Sequence, residues 1–247
     1  MDRRDVSIVT MTWARDAQED SLLRESLSEL AGLSLPVFVT DGGSGESFVD
    51  YLRGLPRFNV FEPEARGLWP QVRRSLRAAY EADAATDFIL YTEPDKKDFF
   101  RGGLRDFISE ANAGERAGVV LAARTSESFA TFPQFQRHTE TTINRCCAEV
   151  VGERFDFTYG PFLLDRRLVP QLLGAPNDIG WGWRPYAFGI ASRLGLRIES
   201  LEKAAACPAE QREESHAERM YRIRQLSQSL EGLLLSTTAE LANAHFV

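Results

Sequence analysis

Two carboxylates one residue apart, Glu93 and Asp95, close the apolar run Phe88-Ile89-Leu90-Tyr91. Acids at alternate positions around a Pro can share a hard divalent cation that also takes phosphate oxygens, because the pyrrolidine ring stiffens the turn between them. Acids at this spacing equally occur on solvated loops, so their context decides. Another acid, Asp41, opens Asp41-Gly42-Gly43-Ser44-Gly45-Glu46, where the glycines let backbone approach a ligand and Asp41 can accept hydrogen bonds from a base or ribose. A tight turn and helix cap would use the same residues. Arg66, in the loop before a helix, offers a cation to a diphosphate, whereas Arg73, Arg74 and Arg77 read as the wet side of that helix.

The elements that must hold these residues follow from periodicity. Val6–Thr12 is strand-like, and Asp16–Leu30 recurs apolar at Leu23, Leu27 and Leu30, one helical face. Leu35–Thr40 is a second strand running into Asp41, and Phe58–Phe61 a third. A helix opened by Trp69-Pro70 buries Val72, Leu76 and Ala79, and a fourth strand delivers Glu93 and Asp95 to its exit. The order β-α-β-α-β-α-β predicts an α/β fold, a mostly parallel sheet flanked by helices with its ligand edge at the strands' carboxyl ends.

Further on, Leu104, Phe107, Ile108 and Ala111 mark a short helix, Gly118–Ala123 a strand and Thr139–Val151 a helix. Phe129, Phe132 and Phe135 read as a hydrophobic seal or a loop packed over a site, with His138 a surface residue. Phe155–Leu164 reads as a strand, or paired strands around Gly160-Pro161. Trp181 and Trp183, set among glycines, can wall a sugar ring because an indole stacks on a pyranose face; core packing is the alternative. A last strand, Leu196–Leu201, precedes a hinge-like Ala204–Pro208 and a helix with Met220, Ile223, Leu226, Leu230 and Leu233 or Leu234 at near-heptad spacing. That stripe must be buried against the domain or a second subunit, so a homodimer through this helix is one expectation.

The chain has 247 residues, 43% hydrophobic and 26% charged, an ordinary globular composition. A net charge of -7 argues against nucleic acid as the main partner and for a small one. Three cysteines without a C-x-x-C predict neither a disulfide framework nor a zinc site. Met1-Asp2-Arg3-Arg4-Asp5 leads into only a short apolar run, and no stretch is long enough for an integral membrane segment, so a cytoplasmic protein is expected.

Taken in order, Val6-Ser7-Ile8-Val9-Thr10, Val39-Thr40-Asp41-Gly42-Gly43-Ser44-Gly45-Glu46, Arg66-Gly67 and Phe88-Ile89-Leu90-Tyr91-Thr92-Glu93-Pro94-Asp95 resemble the nucleotide-binding half of family-2-type GT-A-fold glycosyltransferases. That family shows D-D-G-S-x-D after a strand, N-x-G before a helix and D-x-D after a strand. Here Glu93 replaces the first Asp of D-x-D, and Gly42 and Glu46 replace acids of the turn. The resemblance implies a GT-A (Rossmann-like) fold with a C-terminal helical appendage. Residues 1–203 would be catalytic, 1–100 for the donor and 101–203 for the acceptor, and 204–247 a helical segment packed on the domain or a second subunit. It implies metal-dependent transfer of a sugar from a nucleotide-diphosphate donor, UDP- or GDP-linked, to a hydroxyl acceptor, with Mn²⁺ or Mg²⁺. Thr10, Asp41, Arg66 and Gly67 would contact the donor; Asp95 would bind the metal, and Glu93 the ribose or the metal.

Tyr159-Gly160-Pro161-Phe162 is similar to the acceptor-side segment of GT-A enzymes, so Tyr159 and Gly160, with Trp181 and Trp183, would bind the acceptor. Inverting relatives carry an acidic pair after the Trp-Gly segment; this chain has Trp183-Arg184-Pro185, which leaves Asp178 as the nearest catalytic carboxylate and favours the retaining type. In retaining enzymes of the mannosylglycerate synthase and glucosyl-3-phosphoglycerate synthase type, a C-terminal His joins the D-x-D acid on the metal. His216 is similarly placed, followed by Arg219 and Tyr221 toward the diphosphate. A non-catalytic nucleotide-sugar or partner-binding relative is the alternative. A nucleotidyltransferase is a further one, but it would carry glycines after the first strand, where Thr10-Met11-Thr12-Trp13-Ala14-Arg15 has none.

Overall fold

The computed structural model of the protein describes residues 6–82, 86–111 and 116–241. The N-terminal lead 1–5 and the last residues of the C-terminal segment, 242–247, lie outside the described residues. In chain order the elements begin β1 (Val6–Thr12), α1 (Ala17–Ala31), β2 (Val37–Asp41), α2 (Glu46–Gly54), β3 (Phe58–Phe61), α3 (Leu68–Ala82) and β4 (Phe88–Tyr91). They continue with α4 (Leu104–Glu110), β5 (Ala117–Arg124), α5 (Ser126–Ala130), α6 (Gln134–Val151), β6 (Phe162–Asp165) and α7 (Val169–Leu173). The last are α8 (Trp183–Arg193), β7 (Arg197–Lys203) and α9 (His216–Thr238). The described residues fall into two compact units, one within 1–112 and 161–169, the other within 113–160 and 170–247.

In the first unit the strand order is β3-β2-β1-β4-β6, parallel except where β6 runs against β4. β2, β4 and β6 are buried along their whole length, as their near-continuous apolar sequences require when both faces of a sheet are covered. α1 buries Leu23, Leu27 and Leu30, and α3 buries Val72, Leu76 and Ala79, the faces their spacing predicts. Asp16 starts α1 by accepting from the amides of Gln18 and Glu19. Because β1 lies between β2 and β4, the chain reverses direction across the sheet there. In an open α/β sheet that point leaves a crevice at the strands' carboxyl ends, where Asp41 and Glu93 emerge.

In the second unit β5 pairs in parallel with β7, with a register shift between Ala117 and Val119. α8 is buried from Trp183 to Ala191, and α9 opens with a capping box made by Ser215 and Glu218. No described helix is long and apolar enough to cross a membrane.

Two predicted elements differ. α6 begins at Gln134 rather than Thr139, because the Glu214 carboxylate accepts the first-turn amides of Phe135 (3.2 Å) and Gln136 (3.0 Å). The stretch 155–161 is not strand: Asn144 Oδ1 accepts from the Phe157 amide (2.9 Å), and Asp156 Oδ1 takes the Thr158 amide (3.1 Å), so side chains satisfy backbone that a ladder would otherwise pair. The link 204–208 is stitched down, with the amides of Ala205 and Cys207 donating to Ser128 Oγ (3.0 Å) and Thr131 Oγ1 (2.8 Å).

Candidate functional site

Asp41 ends β2 and is only 6% exposed. Its Oδ1 accepts from the amides of Gly43 (3.0 Å) and Ser44 (2.7 Å), and its Oδ2 from the hydroxyls of Thr12 (2.9 Å) and Ser44 (2.6 Å). These four donors fill a carboxylate's acceptor capacity. Asp41 therefore builds the turn, with its carboxylate engaged within it. Gly43 sits at φ +117°, a conformation open mainly to glycine. Thr10, on β1, is fully buried, and its carbonyl accepts from Ser75 Oγ (3.0 Å) under α3.

Arg66 is exposed and Gly67 takes φ +121°. The Gly67 carbonyl accepts from Gln71 Nε2 (3.1 Å), and the same amide group lies where a side chain on Gly42 would meet it at 2.9 Å. Gln71 thus braces both loops, with its Oε1 buried and accepting no hydrogen bond. Neither Gln71 nor Thr12 stood out in the sequence; the available signals were a polar residue beside the buried face of α3 and a Thr at a strand exit.

At the exit of β4 the Thr92 amide still donates to Val9 O (3.1 Å), so the chain leaves the sheet at Glu93, a buried carboxylate (8% exposed). Asp95 is part-exposed, with Oδ1 3.3 Å from Lys96 Nζ. Glu93 and Asp95 belong to the first unit and His216 to the second, and among the described residues no group of three His, Cys, Asp or Glu side chains gathers to hold a metal ion. The donor chemistry still fits a hard cation. Asp95 Oδ1 is buried and accepts no hydrogen bond, and one or two carboxylates completed by substrate phosphates are a common Mg²⁺ shell.

In the second unit, Trp181 and Tyr221 meet edge to face at 6.5 Å, and the Trp181 amide donates to Gln228 Oε1 (3.2 Å). Trp181 lines a shallow recess, of about 10 Å³, with Thr158, Arg184, Pro185, Gln225 and Ser229. Trp183, at 0% exposure, packs in the core, the alternative that its sequence left open. Tyr159 and Gly160 are buried as well, so of the four acceptor-side residues Trp181 is the one that offers a ring to the surface. Asp178 is exposed in the turn closed by the Ile179 amide to Pro176 O (3.4 Å). His216, the first residue of α9, is exposed, as are Arg219 and Tyr221.

The strongest electrostatic feature is one that sequence reasoning missed. Arg124, the last residue of β5, is buried. Its Nε donates to Asp156 Oδ2 (2.7 Å), and its Nη2 to Asp156 Oδ1 (3.0 Å), Glu140 Oε2 (2.8 Å) and Thr158 Oγ1 (2.9 Å). Phe129 and Phe132 lie 4.6 and 4.5 Å from the guanidinium, so two of the three expected sealing aromatics cover this cation. Burial works to raise the Asp156 pKa, but the Arg124 charge and hydrogen bonds outweigh it and hold the carboxyl at about 2, against an ordinary 3.8.

A carboxylate with its folded pKa depressed contributes stability above the unfolded value and loses it as pH falls through the folded one. Asp156 is therefore expected to add on the order of 2 kcal/mol above pH 4, lost between about 4 and 2. Urea titrations across that range check this: Asp156→Asn should show a flatter acid limb than the parent, and parallel limbs would refute it.

Neither a family model nor a curated protein matches the sequence. Solved structures do. The chain is similar to mannosyl-3-phosphoglycerate synthase from Rubrobacter xylanophilus, at 14% identity and TM-score 0.64 over 97% of this chain and 77% of that one. It is similar to glucosyl-3-phosphoglycerate synthase from Mycobacterium tuberculosis in complex with UDP, at 16% identity and TM-score 0.66 over 96% and 81%. The complex of the latter enzyme with Mn²⁺, UDP-glucose and phosphoglyceric acid gives 14% and 0.64 over 96% and 81%. The chain thus has the GT-A fold of these nucleotide-sugar glycosyltransferases, the fold that its motifs imply.

Proposed function

We propose that this protein is a metal-dependent glycosyltransferase moving a hexose from a UDP- or GDP-sugar to a hydroxyl acceptor. The observation that carries the reading is the fold it shares, along 96% of its length, with a glycosyltransferase solved with UDP-glucose and Mn²⁺, together with acids at the exit of β4. The nucleotide would rest on the backbone of the Asp41 turn, and Arg66, Arg219 and Tyr221 would receive the diphosphate. Glu93, Asp95 and His216 would hold Mn²⁺ or Mg²⁺, which when bound neutralises charge on the leaving diphosphate. Trp181 would stack on the acceptor side, with Asp178, just before the Trp-Gly segment, the candidate catalytic carboxylate. Retention is the favoured outcome, because the position where inverting relatives carry an acid holds Arg184, which donates to the Phe157 carbonyl (3.0 Å). Three cysteines, all free thiols, suit a reducing, cytoplasmic compartment.

Thermal unfolding with UDP- and GDP-sugars, with and without Mn²⁺, tests this. A donor at a hundred times its dissociation constant adds about 2.7 kcal/mol, a rise of roughly 5–11 °C for a chain of this size. Asp95→Ala should abolish the Mn²⁺-dependent part and His216→Ala should weaken it; an unchanged Mn²⁺ response in His216→Ala removes that residue from the site. If neither nucleotide raises the midpoint, the glycosyltransferase reading fails. The Lys96–Asp95 ion pair, which sets an ammonium beside the proposed metal ligand, favours a second reading: a nucleotide-sugar-binding relative without turnover. Stabilisation by a donor with no hydrolysis or transfer would select it.

A further inference from the structure

Two consecutive residues cap two different helices. Pro133, at the N-cap of α6, gives that helix no side-chain acceptor, and the carboxylate of Glu214 takes the place of one. Its Oε2 accepts from the Phe135 amide (3.2 Å) and its Oε1 from the Gln136 amide (3.0 Å). A carboxylate suits the positive end of an 18-residue helix, whose first amides have no partner within it. Ser215, the next residue, caps α9. Its Oγ accepts from the Glu218 amide (3.2 Å), and Glu218 Oε2 accepts from the Ser215 amide (2.6 Å). No residue separates the two caps, so the start of α9 goes where Glu214 is held.

The start of α9 needs such a tie. Its buried residues, Ser229, Gly232, Leu233 and Ser236, all lie in the second half of the helix, whereas Ser215 to Tyr221 are exposed throughout. From Ser229 back to His216 the helix runs about 20 Å. Along that stretch Tyr221 meets the edge of Trp181, and beyond it the first turn carries His216 and Arg219 with no buried face beneath. A helix end without buried apolar contacts opens at low cost. The approach to Glu214 is fastened as well: besides the ties of Ala205 and Cys207 to Ser128 and Thr131, Arg212 Nε donates to the Cys207 carbonyl (3.1 Å).

We propose that Glu214 is a positioning residue: by gripping the first turn of α6 it fixes the first turn of α9, and with it His216, Arg219 and Tyr221. The role rests on the reading that these three residues meet the metal and the diphosphate of the donor. Glu214 acts through the helix, because its own oxygens are engaged by the two amides. When the grip opens, apparent ligand affinity falls in proportion to the time the turn is out of place.

Hydrogen exchange and Mn²⁺ titration of the full chain test this together. Glu214→Ala should speed exchange of the amides from Glu218 to Tyr221 about fivefold, the effect of a typical lost cap. It should raise by a similar factor the Mn²⁺ concentration that gives half the midpoint rise with UDP- or GDP-glucose. Glu214→Gln, which keeps one acceptor oxygen, should fall between. Pro133→Ser on the Glu214→Ala background separates positioning from support. It gives α6 a cap of its own and should restore the thermal midpoint, while α9 exchange and the Mn²⁺ half-point stay as in Glu214→Ala. Recovery of all three would show that Glu214 merely stabilises α6 and would overturn the proposal. Unchanged exchange, or an unchanged Mn²⁺ half-point, in Glu214→Ala would overturn it equally. A parent chain without any Mn²⁺-dependent rise fails differently: it removes the glycosyltransferase reading, and the positioning role with it.

Discussion

Replacing Arg124 with Met is expected to lower the thermal midpoint by roughly 6–20 °C, the equivalent of 3–5 kcal/mol. The substitution is close in length and apolar, so the packing against Phe129 and Phe132 largely survives. What it removes is the countercharge of two carboxylates, Glu140 and Asp156, whose side chains are 4% and 12% exposed. Breaking a buried ion pair from one side is costly because the orphaned charge keeps its desolvation penalty and loses its partner. Arg124→Lys should recover little, since an ammonium cannot reproduce the fork that engages both oxygens of Asp156 while also reaching Glu140. Neutralising the orphans as well, with Glu140→Gln and Asp156→Asn on the Met background, should regain much of the loss. Equal midpoints for the single and triple variants would show that unpaired charge is not the cause.

Why that hub escaped the sequence reading, while α1 and α3 did not, is a matter of range. The stripes Leu23-Leu27-Leu30 and Val72-Leu76-Ala79 are local, and a helix needs only its own periodicity to show which face is buried. Arg124 looks like the polar stop of an apolar strand until the fold brings it Glu140 from α6 and Asp156 from the loop beyond. The start of α6 depends on Glu214, 79 residues further on. Asp41 shows the complementary limit. Its position at a strand exit was legible, but the Thr12 hydroxyl that occupies its second oxygen comes from another strand and converts a free acceptor into a turn-builder. Trp181 and Trp183 are two residues apart on a tight helical turn, so they face different surroundings: one lines a recess, the other is core.

The choice between Leu233 and Leu234 for the α9 stripe, which periodicity leaves open, is made by Gly232. It faces Gly182 so closely that a methyl group added to it would meet the Gly182 Cα at 2.6 Å as well as overlapping the carbonyl oxygen. Backbone stands on both sides of this contact, so no rotamer change makes room; the helices must separate. Gly232→Ala is therefore expected to destabilise by about 3 kcal/mol, at the upper end for overpacking, despite alanine's better helix propensity. Leu233 would lose its buried seat with the same displacement, and hydrogen exchange along α9 should accelerate first. Gly102→Ala is the internal control: nothing lies within 4 Å of its added carbon, so it should be neutral or stabilising by about 0.4–1 kcal/mol. Similar midpoints for Gly232→Ala and Gly102→Ala would mean that α9 does not depend on the glycine contact for its seat. A selective loss at Gly232, with faster exchange confined to α9, would show that this contact decides which face of the helix remains outside.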